Sequence, residues 1–293
     1  MILNNLFPKY ILHVEVLHST QTVKTNIAYY NKHIKDTLGI KHIKNISYMD
    51  IQLFTNSLLK RDYKVKTVKN ILSIIKVLFK FAIKLQLLEK NPSLDIELPK
   101  YDNTRYFNFP LSVQQDFIRA IKDFNEPIYK DIFFFLLHGR RKSEVLNLTW
   151  DMIDLDQRLY YIPAKINKAK RNMCYKMTDE LYYRLNKHFL YSCIKQNTKY
   201  PKGFVFINLN TNRAYRDLRK PFQRLTESYN LPKIRLHDLR HLIGSYSINY
   251  LNLPIEHISY TLGHTSIEVT QKYITVKPQI SKDVIDKIFE SLD

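Results

Sequence analysis

Five short segments in the second half of the chain carry side chains suited to chemistry at an anionic centre. They are His138-Gly139-Arg140-Arg141-Lys142-Ser143-Glu144, Asn167-Lys168-Ala169-Lys170, His237-Asp238-Leu239-Arg240-His241, Leu262-Gly263-His264 and the single residue Tyr273. Guanidinium groups pair with phosphate oxygens and suit negative charge that grows on them. Imidazole exchanges a proton near neutral pH. An ammonium can protonate a poor leaving group. A phenol becomes a nucleophile where clustered cations favour its phenolate. Taken singly, each segment has a plainer reading. Gly-x-Arg-x-x-Glu arises by chance, and His237 and His241, four apart, suit a zinc pair on a helix face. His264 alone reads as a packed or capping histidine, and Tyr273 is one of 21 tyrosines. Their joint occurrence in one order is the informative signal, because chance matches multiply.

In that order the segments resemble the tyrosine recombinase (phage integrase) family. Its pattern is an Arg box, a lysine on a β-hairpin, a His-x-x-Arg box, a Leu-Gly-His box and then a tyrosine. The resemblance covers roughly 106–280, and more loosely 19–100. It implies that Arg141 and Arg240 clamp the scissile phosphate. The family's first arginine stands two residues after the glycine, which selects Arg141 and leaves Arg140 as an expected DNA contact. Lys165, Lys168 and Lys170 are the candidate general acids. The family places Pro-Leu eight to nine residues after its lysine; Lys176-Met177 stands there, which selects Lys168. By the same resemblance His237 is the acid–base histidine, His264 donates to the phosphate, and Tyr273 attacks to give a 3′-phosphotyrosine and a free 5′-hydroxyl. Glu144 is expected to orient Arg141 or His237, and His241 to give structural support. The phosphotyrosine keeps the bond energy, so no ATP, metal or other cofactor is called for.

The elements that must position these residues are mostly helical. His18-Ser-Thr-Gln-Thr offers caps for a helical stretch ended by Gly39, and Ser47 caps a second over about 48–60. The clearest helix spans 66–87. Val68, Ile71, Leu72, Ile75, Leu78, Phe79 and Ala82 share one face, and Lys69, Lys76, Lys80 and Lys84 form a stripe on another. That stripe is read as DNA-binding. Asn91-Pro92 breaks the pattern. Segments 111–123 and 127–138 read as helices, Trp150 to Pro163 and Cys174 to Met177 as short strands, and helical patterns return from about 178 to the end. The fold class is therefore mainly α with a small β-sheet (α+β). The resemblance implies a helical, SAM-like core-binding domain over 1–98, a linker over 99–110 and a catalytic domain over 111–293, closing as a C-shaped clamp around DNA.

Composition agrees with that partner. Lys and Arg number 46 against 27 Asp and Glu, a net charge of +19. The first hundred residues hold 16 basic and 7 acidic side chains, so the excess is spread along the chain. Such a charge suits a polyanion: DNA, RNA or an anionic membrane. No apolar run is long enough to span a bilayer, and the start carries no signal-peptide pattern. The two cysteines, Cys174 and Cys193, form no CxxC pair and fit a reducing cytoplasm. The expected activity is site-specific recombination of double-stranded DNA by a homotetramer on paired sites. Its tail, about 281–293, is amphipathic and suited to exchange between protomers. Only about 18 residues precede the first expected core-binding helix, which points to a Xer-like recombinase or a compact mobile-element integrase. The alternatives are a type IB topoisomerase-like nicking-closing enzyme and a non-cleaving architectural DNA binder. A metal-dependent nuclease is disfavoured, because no carboxylate cluster lies near the histidines.

Overall fold

The computed structural model describes residues 1–101, 109–208, 211 and 213–271. It divides into two compact units, Met1–Thr104 and Arg105–Asp293.

The first unit is all helical: α1 (Leu3–Val14), α2 (Thr20–Tyr29), α3 (Tyr48–Lys60) and α4 (Val65–Lys84). Its sequence signals act locally as expected at three points. Ser19 caps α2 by accepting from Thr22 N. Ser47 and Asp50 form a reciprocal capping box at the start of α3. On α4 the apolar face is buried from Val68 to Ala82. Beyond it, Asn91 accepts from Ser93 N and Ser93 Oγ at 3.0 and 2.6 Å and donates to Lys76 O, so the Asn-Pro turn is tied back onto α4.

Two expectations for this unit change. The stretch begun at Ser19 does not run as one α-helix to Gly39; it widens into a π turn over Tyr30–Ile34. Both ends of that turn, Tyr30 and Ile34, are buried. Nor are the first 18 residues a mere lead-in. Leu3, Leu6, Phe7, Tyr10 and Val14 lie on one face of α1 and pack into the same core as α3 and α4. Phe7 stacks on Tyr30 with ring centroids 3.6 Å apart, and Tyr30 Oη donates to Asn4 Oδ1 at 2.8 Å. The spacing 3, 6, 7, 10, 14 is helical, but Pro8 sits inside it and disguises the pattern.

The second unit is built around one helix. α5 (Leu111–Asp123) packs on α6 (Pro127–Leu137), which starts with proline in the first turn, where no amide donor is needed. Every residue of α6 from Asp131 to Leu137 is buried. The one acid among them is neutralised from α8 (Asp179–Gln196): Arg184 pairs with Asp131 Oδ1, and His188 Nε2 lies 2.9 Å from Oδ2. α6 runs directly into the Arg box, so the most buried helix of the unit sets the position of that box.

After the short helix α7 (Lys142–Leu146) come three antiparallel strands, β1 (Ile153–Asp154), β2 (Leu159–Ile162) and β3 (Met173–Lys176), with Ile162 opposite Met173 across the hairpin. Trp150 itself lies in a 3₁₀ turn rather than a strand. A second small pair, β4 (Ile207–Asn208) and β5 (Arg213–Ala214), follows α8, where the sequence suggests continued helix. Each of these strands is two residues long, too short to leave an alternating pattern. Helices α9 (Arg219–Ser228), α10 (Asp238–Asn249), α11 (Ile255–Leu262) and α12 (Glu268–Gln271) complete the described residues. No described helix is long and apolar enough to cross a membrane.

If α1 belongs to the core, Leu6→Ala should lower stability by about 2–5 kcal/mol, whereas Leu12→Ala, at a site 66% exposed, should change it by less than about 0.5 kcal/mol. Urea unfolding of the two variants measures both shifts.

Candidate active site

The Arg box turns sharply at the end of α6. Gly139 takes φ +77°, a conformation L side chains rarely adopt, and a Cβ there would lie 2.5 Å from Leu262 Cδ2. Arg141 then stands at the N-cap of α7. Glu144, fully buried, accepts from Arg141 N through Oε2 and from Arg141 Nη1 through Oε1, both at 2.8 Å. A buried carboxylate thus fixes both the backbone and the guanidinium of Arg141. Among the described residues Glu144 is the one side-chain partner of Arg141, so the guanidinium keeps further donors to offer an anion.

The second arginine arrives from α10. Arg240 is buried, and its Nη1 donates at 2.6 Å to the carbonyl of Gly139. That bond joins the His-x-x-Arg box to the Arg box. Arg141, Arg219, Lys233, Arg235, His237 and Arg240 all line one cavity of about 770 Å³. His237 precedes α10, and its ring meets that of His241 edge-on at 5.2 Å. Partial burial and then the Arg240 guanidinium, with Arg141 contributing less, hold His237 below the ordinary imidazole range. His241 falls further, to about 4, through burial and the neighbouring His237. Both rings are therefore neutral at pH 7, and His237 is able to accept a proton.

The third arm is the turn after α11. Gly263, at φ +62°, ends the helix in the left-handed conformation, and a Cβ there would meet Met173 Sδ at 2.8 Å and Tyr175 Oη at 2.9 Å. Strand β3 therefore lies directly on this turn. His264 is buried; its backbone N donates to Ser259 O, and Nδ1 shares a 2.7 Å hydrogen bond with Thr270 Oγ1.

The lysine hairpin joins β2 to β3. Buried Asn167 donates through Nδ2 to the carbonyls of Pro163 and Arg171 at 2.7 and 2.8 Å and holds the loop in one shape. Lys165, Lys168 and Lys170 are all exposed on it. Geometry alone does not single out one of the three.

The structure thus brings Arg141, His237 and Arg240 around one cavity, with Glu144 behind Arg141 and His241 against His237, and sets His264 and the lysine hairpin against each other. Tyr273 and the tail over 281–293 lie outside the described residues. Arg140 departs from expectation. It is only 2% exposed, with its guanidinium 3.7 Å from the Tyr175 ring centroid and its Nε bonded to His138 O. An exposed DNA contact is not what this side chain makes: the residue points into the gap between the Arg box and β3. In the first unit Lys69, Lys80 and Lys84 are exposed, whereas Lys76 is half-buried and donates to Leu94 O at 2.9 Å. Two residues escape a reading of the sequence. Arg171 Nη2 donates to His264 O at 2.7 Å, and Thr270 orients the His264 ring. The motifs flag neither residue: Arg171 meets His264 across 93 residues, and Thr270 reaches back to it from six residues further on. Among the described residues no cluster of His, Cys, Asp or Glu is arranged to hold a metal ion.

The chain matches two family models: the phage integrase family over residues 113–279, and the phage integrase N-terminal SAM-like domain over residues 6–86. It is 24% identical over 264 residues to tyrosine recombinase XerC of Bacillus licheniformis, spanning 86% of this chain and 83% of that protein. It is 26% identical over 276 residues to the transposase of transposon Tn916 from Enterococcus faecalis, spanning 82% of this chain and 65% of the other. Its fold is similar to that of the Tn1549 transposon integrase solved with transposon right end DNA, at a TM-score of 0.77, 19% identity, and coverage of 98% and 99% of the two chains. It is also similar to a lambda integrase dimer solved on a core site, at a TM-score of 0.71, 14% identity, and coverage of 95% and 100%.

Two outcomes test this geometry. Gly263→Ala should cost about 1–3 kcal/mol from backbone strain alone, and more from the contact with β3; thermal unfolding reads it. The second concerns pH. His33, His138, His237 and His241 all have folded pKa values below the ordinary 6.5. The unfolded chain then binds more protons than the native one as the pH falls from about 6.5 towards 4. Their contribution to stability is complete above that window and is lost within it on acidification. Urea midpoints should fall between pH 7 and pH 5, and His241→Gln should flatten the decline.

Proposed function

The chain belongs to the phage integrase family of tyrosine-type site-specific DNA recombinases, and on that premise we propose that Arg141, Lys168, His237, Arg240, His264 and Tyr273 form its active centre. The observation that carries this assignment is the bond from Arg240 to the carbonyl of Gly139, which sets two arginines from distant boxes along one cavity. A scissile phosphate bound there receives guanidinium donors from both. As the Tyr273 oxygen attacks phosphorus, negative charge grows on the non-bridging oxygens, and these donors stabilise it. His237, held neutral, takes the phenolic proton. The bond to the 5′ oxygen breaks, its electron pair stays on that oxygen, and Lys168 supplies the proton that makes it a hydroxyl. Rejoining runs the same steps backwards from the phosphotyrosine, and Glu144 keeps Arg141 aligned throughout. His264 donates to the phosphate, with its ring braced by Thr270.

The working assembly in this proposal is a homotetramer on two double-stranded sites in the cytoplasm. The net charge of +19 supports a DNA partner. Lambda integrase, similar in fold, has been solved as a tetramer bound to a Holliday junction. Residues 1–98 serve as the core-binding domain, with Lys69, Lys80 and Lys84 of α4 as phosphate contacts, 99–110 as linker and 111–293 as the catalytic domain. The tail over 281–293 links protomers.

The test is covalent capture. A pool of nicked, random-sequence duplexes is incubated with the protein in EDTA, and DNA left attached after denaturation is recovered and sequenced. A defined sequence should emerge, and Tyr273→Phe should abolish the adduct. No adduct from a deep pool would sink the cleavage reading. Relaxation of supercoils without recombinants from two captured sites would instead make the enzyme a nicking-closing one. On a captured site Arg141→Ala should slow cleavage by about 10²–10³-fold. The single-turnover rate should stay level as pH falls from about 8 to the ordinary imidazole pKa of 6.5, and decline only below it, because His237 titrates lower than that value.

A further inference from the structure

The lysine hairpin is exposed at its tip, yet a general acid must be held within hydrogen-bond reach of the 5′ oxygen. Something outside the loop has to hold it. Among the described residues Lys168 makes no hydrogen bond or ion pair of its own. Its neighbours do. Asn167, one residue before it, ties the loop together by donating to Arg171 O at 2.8 Å. Arg171, three residues after it, donates from Nη2 to the carbonyl of His264 at 2.7 Å, across 93 residues of sequence. Lys168 therefore sits between two residues that are linked to each other and, through one guanidinium, to the Leu-Gly-His turn.

We propose that Arg171 is a positioning residue that holds the general-acid lysine against the phosphate by anchoring the β2–β3 loop to the backbone of His264. The inference rests on the assignment of Lys168 as the acid. The two ends of the Arg171 bond are not equally free to move. His264 is buried and keeps its backbone bond to Ser259 and its ring bond to Thr270 when Arg171 is lost. The loop is exposed, so the loop is what shifts. A displacement of about 1 Å is enough to cost about 10²-fold in rate. The link also couples two catalytic arms: a DNA phosphate bound at His264 and the acid on the hairpin are fixed to one carbonyl.

The chemistry supplies a readout that a merely structural role would not move. In a duplex whose 5′-bridging oxygen is replaced by sulfur, the P–S bond breaks and the electron pair leaves as a thiolate. Its conjugate acid has a pKa of about 8.5, so no proton donor is needed. The probe is the captured duplex with either oxygen or sulfur at that position. Arg171→Met keeps the apolar stem and removes the donors. It should cleave the oxygen ester at least about tenfold more slowly than the parent, cleave the sulfur ester within about threefold of it, and leave the unfolding temperature nearly unchanged. Arg171→Lys, with one donor that can reach the carbonyl, should recover some of the loss on oxygen. Normal cleavage of the oxygen ester by Arg171→Met would overturn the proposal. So would an equal defect on both esters, which would place the residue's effect on His264 or on folding. Lys168→Ala is the companion variant. If it stays slow on sulfur, the acid assignment itself fails, whatever Arg171→Met does. If it is rescued by sulfur and Arg171→Met is not, only the positioning role fails.

Discussion

The close approach of backbone to side chain at Gly139 and Gly263 is the constraint on which the site depends. Both glycines have positive φ, and both lack the Cβ that would collide with a segment from elsewhere in the chain. At Gly139 the neighbour is Leu262, from the Leu-Gly-His box. At Gly263 the neighbours are Met173 and Tyr175, from the strand that follows the lysine loop. The carbonyl of Gly139 also receives Arg240. Four of the five motif segments are thereby locked through two residues without side chains. Chemistry at a phosphate needs donors placed to within fractions of an ångström, and backbone contacts are stiffer than contacts between long side chains.

Charge management follows from that crowding. A site built from arginines and histidines repels itself unless acids are set among them. Glu144 is the acid at the centre: fully buried, it is spent wholly on Arg141. Asp131 does the same between Arg184 and His188. Other cations are tolerated by different means. His138 stays neutral: its Nδ1 donates to Phe134 O, which leaves Nε2 to accept from the Thr178 hydroxyl, and burial holds its pKa down. Arg140 is buried and lays its guanidinium on the Tyr175 ring, whose face carries negative potential. The histidine and the arginine stand where the family often has threonine and leucine. Each has found a local partner: Thr178, just after β3, for His138, and Tyr175, on β3, for Arg140.

Much of this is legible in the residues. The order of the boxes points to the family, and capping residues and apolar faces mark α3, α5 and α6 within a residue and α4 within three. What misleads is local in cause. Pro8 hides the amphipathic face of α1, and strands of two residues carry no periodicity, so β4 and β5 look like continued helix. Arg140 reads as a surface cation because arginine usually is one. Its burial depends on an aromatic ring 35 residues away in sequence.

The sequence by itself determined the kind of chemistry, since residue types, spacing and order are properties of the chain. It also marked Glu144 as a candidate partner of Arg141, because a separation of three is one helical turn. It put three lysines on one loop, among which the family's spacing selects Lys168. Tertiary structure decided what links the boxes: Arg240 to Gly139, Arg171 to His264, Arg140 to Tyr175. These contacts join segments 35 to 101 residues apart. No local periodicity encodes such pairs. They exist only once the burial of α6 and the turns at Gly139 and Gly263 have brought the segments together.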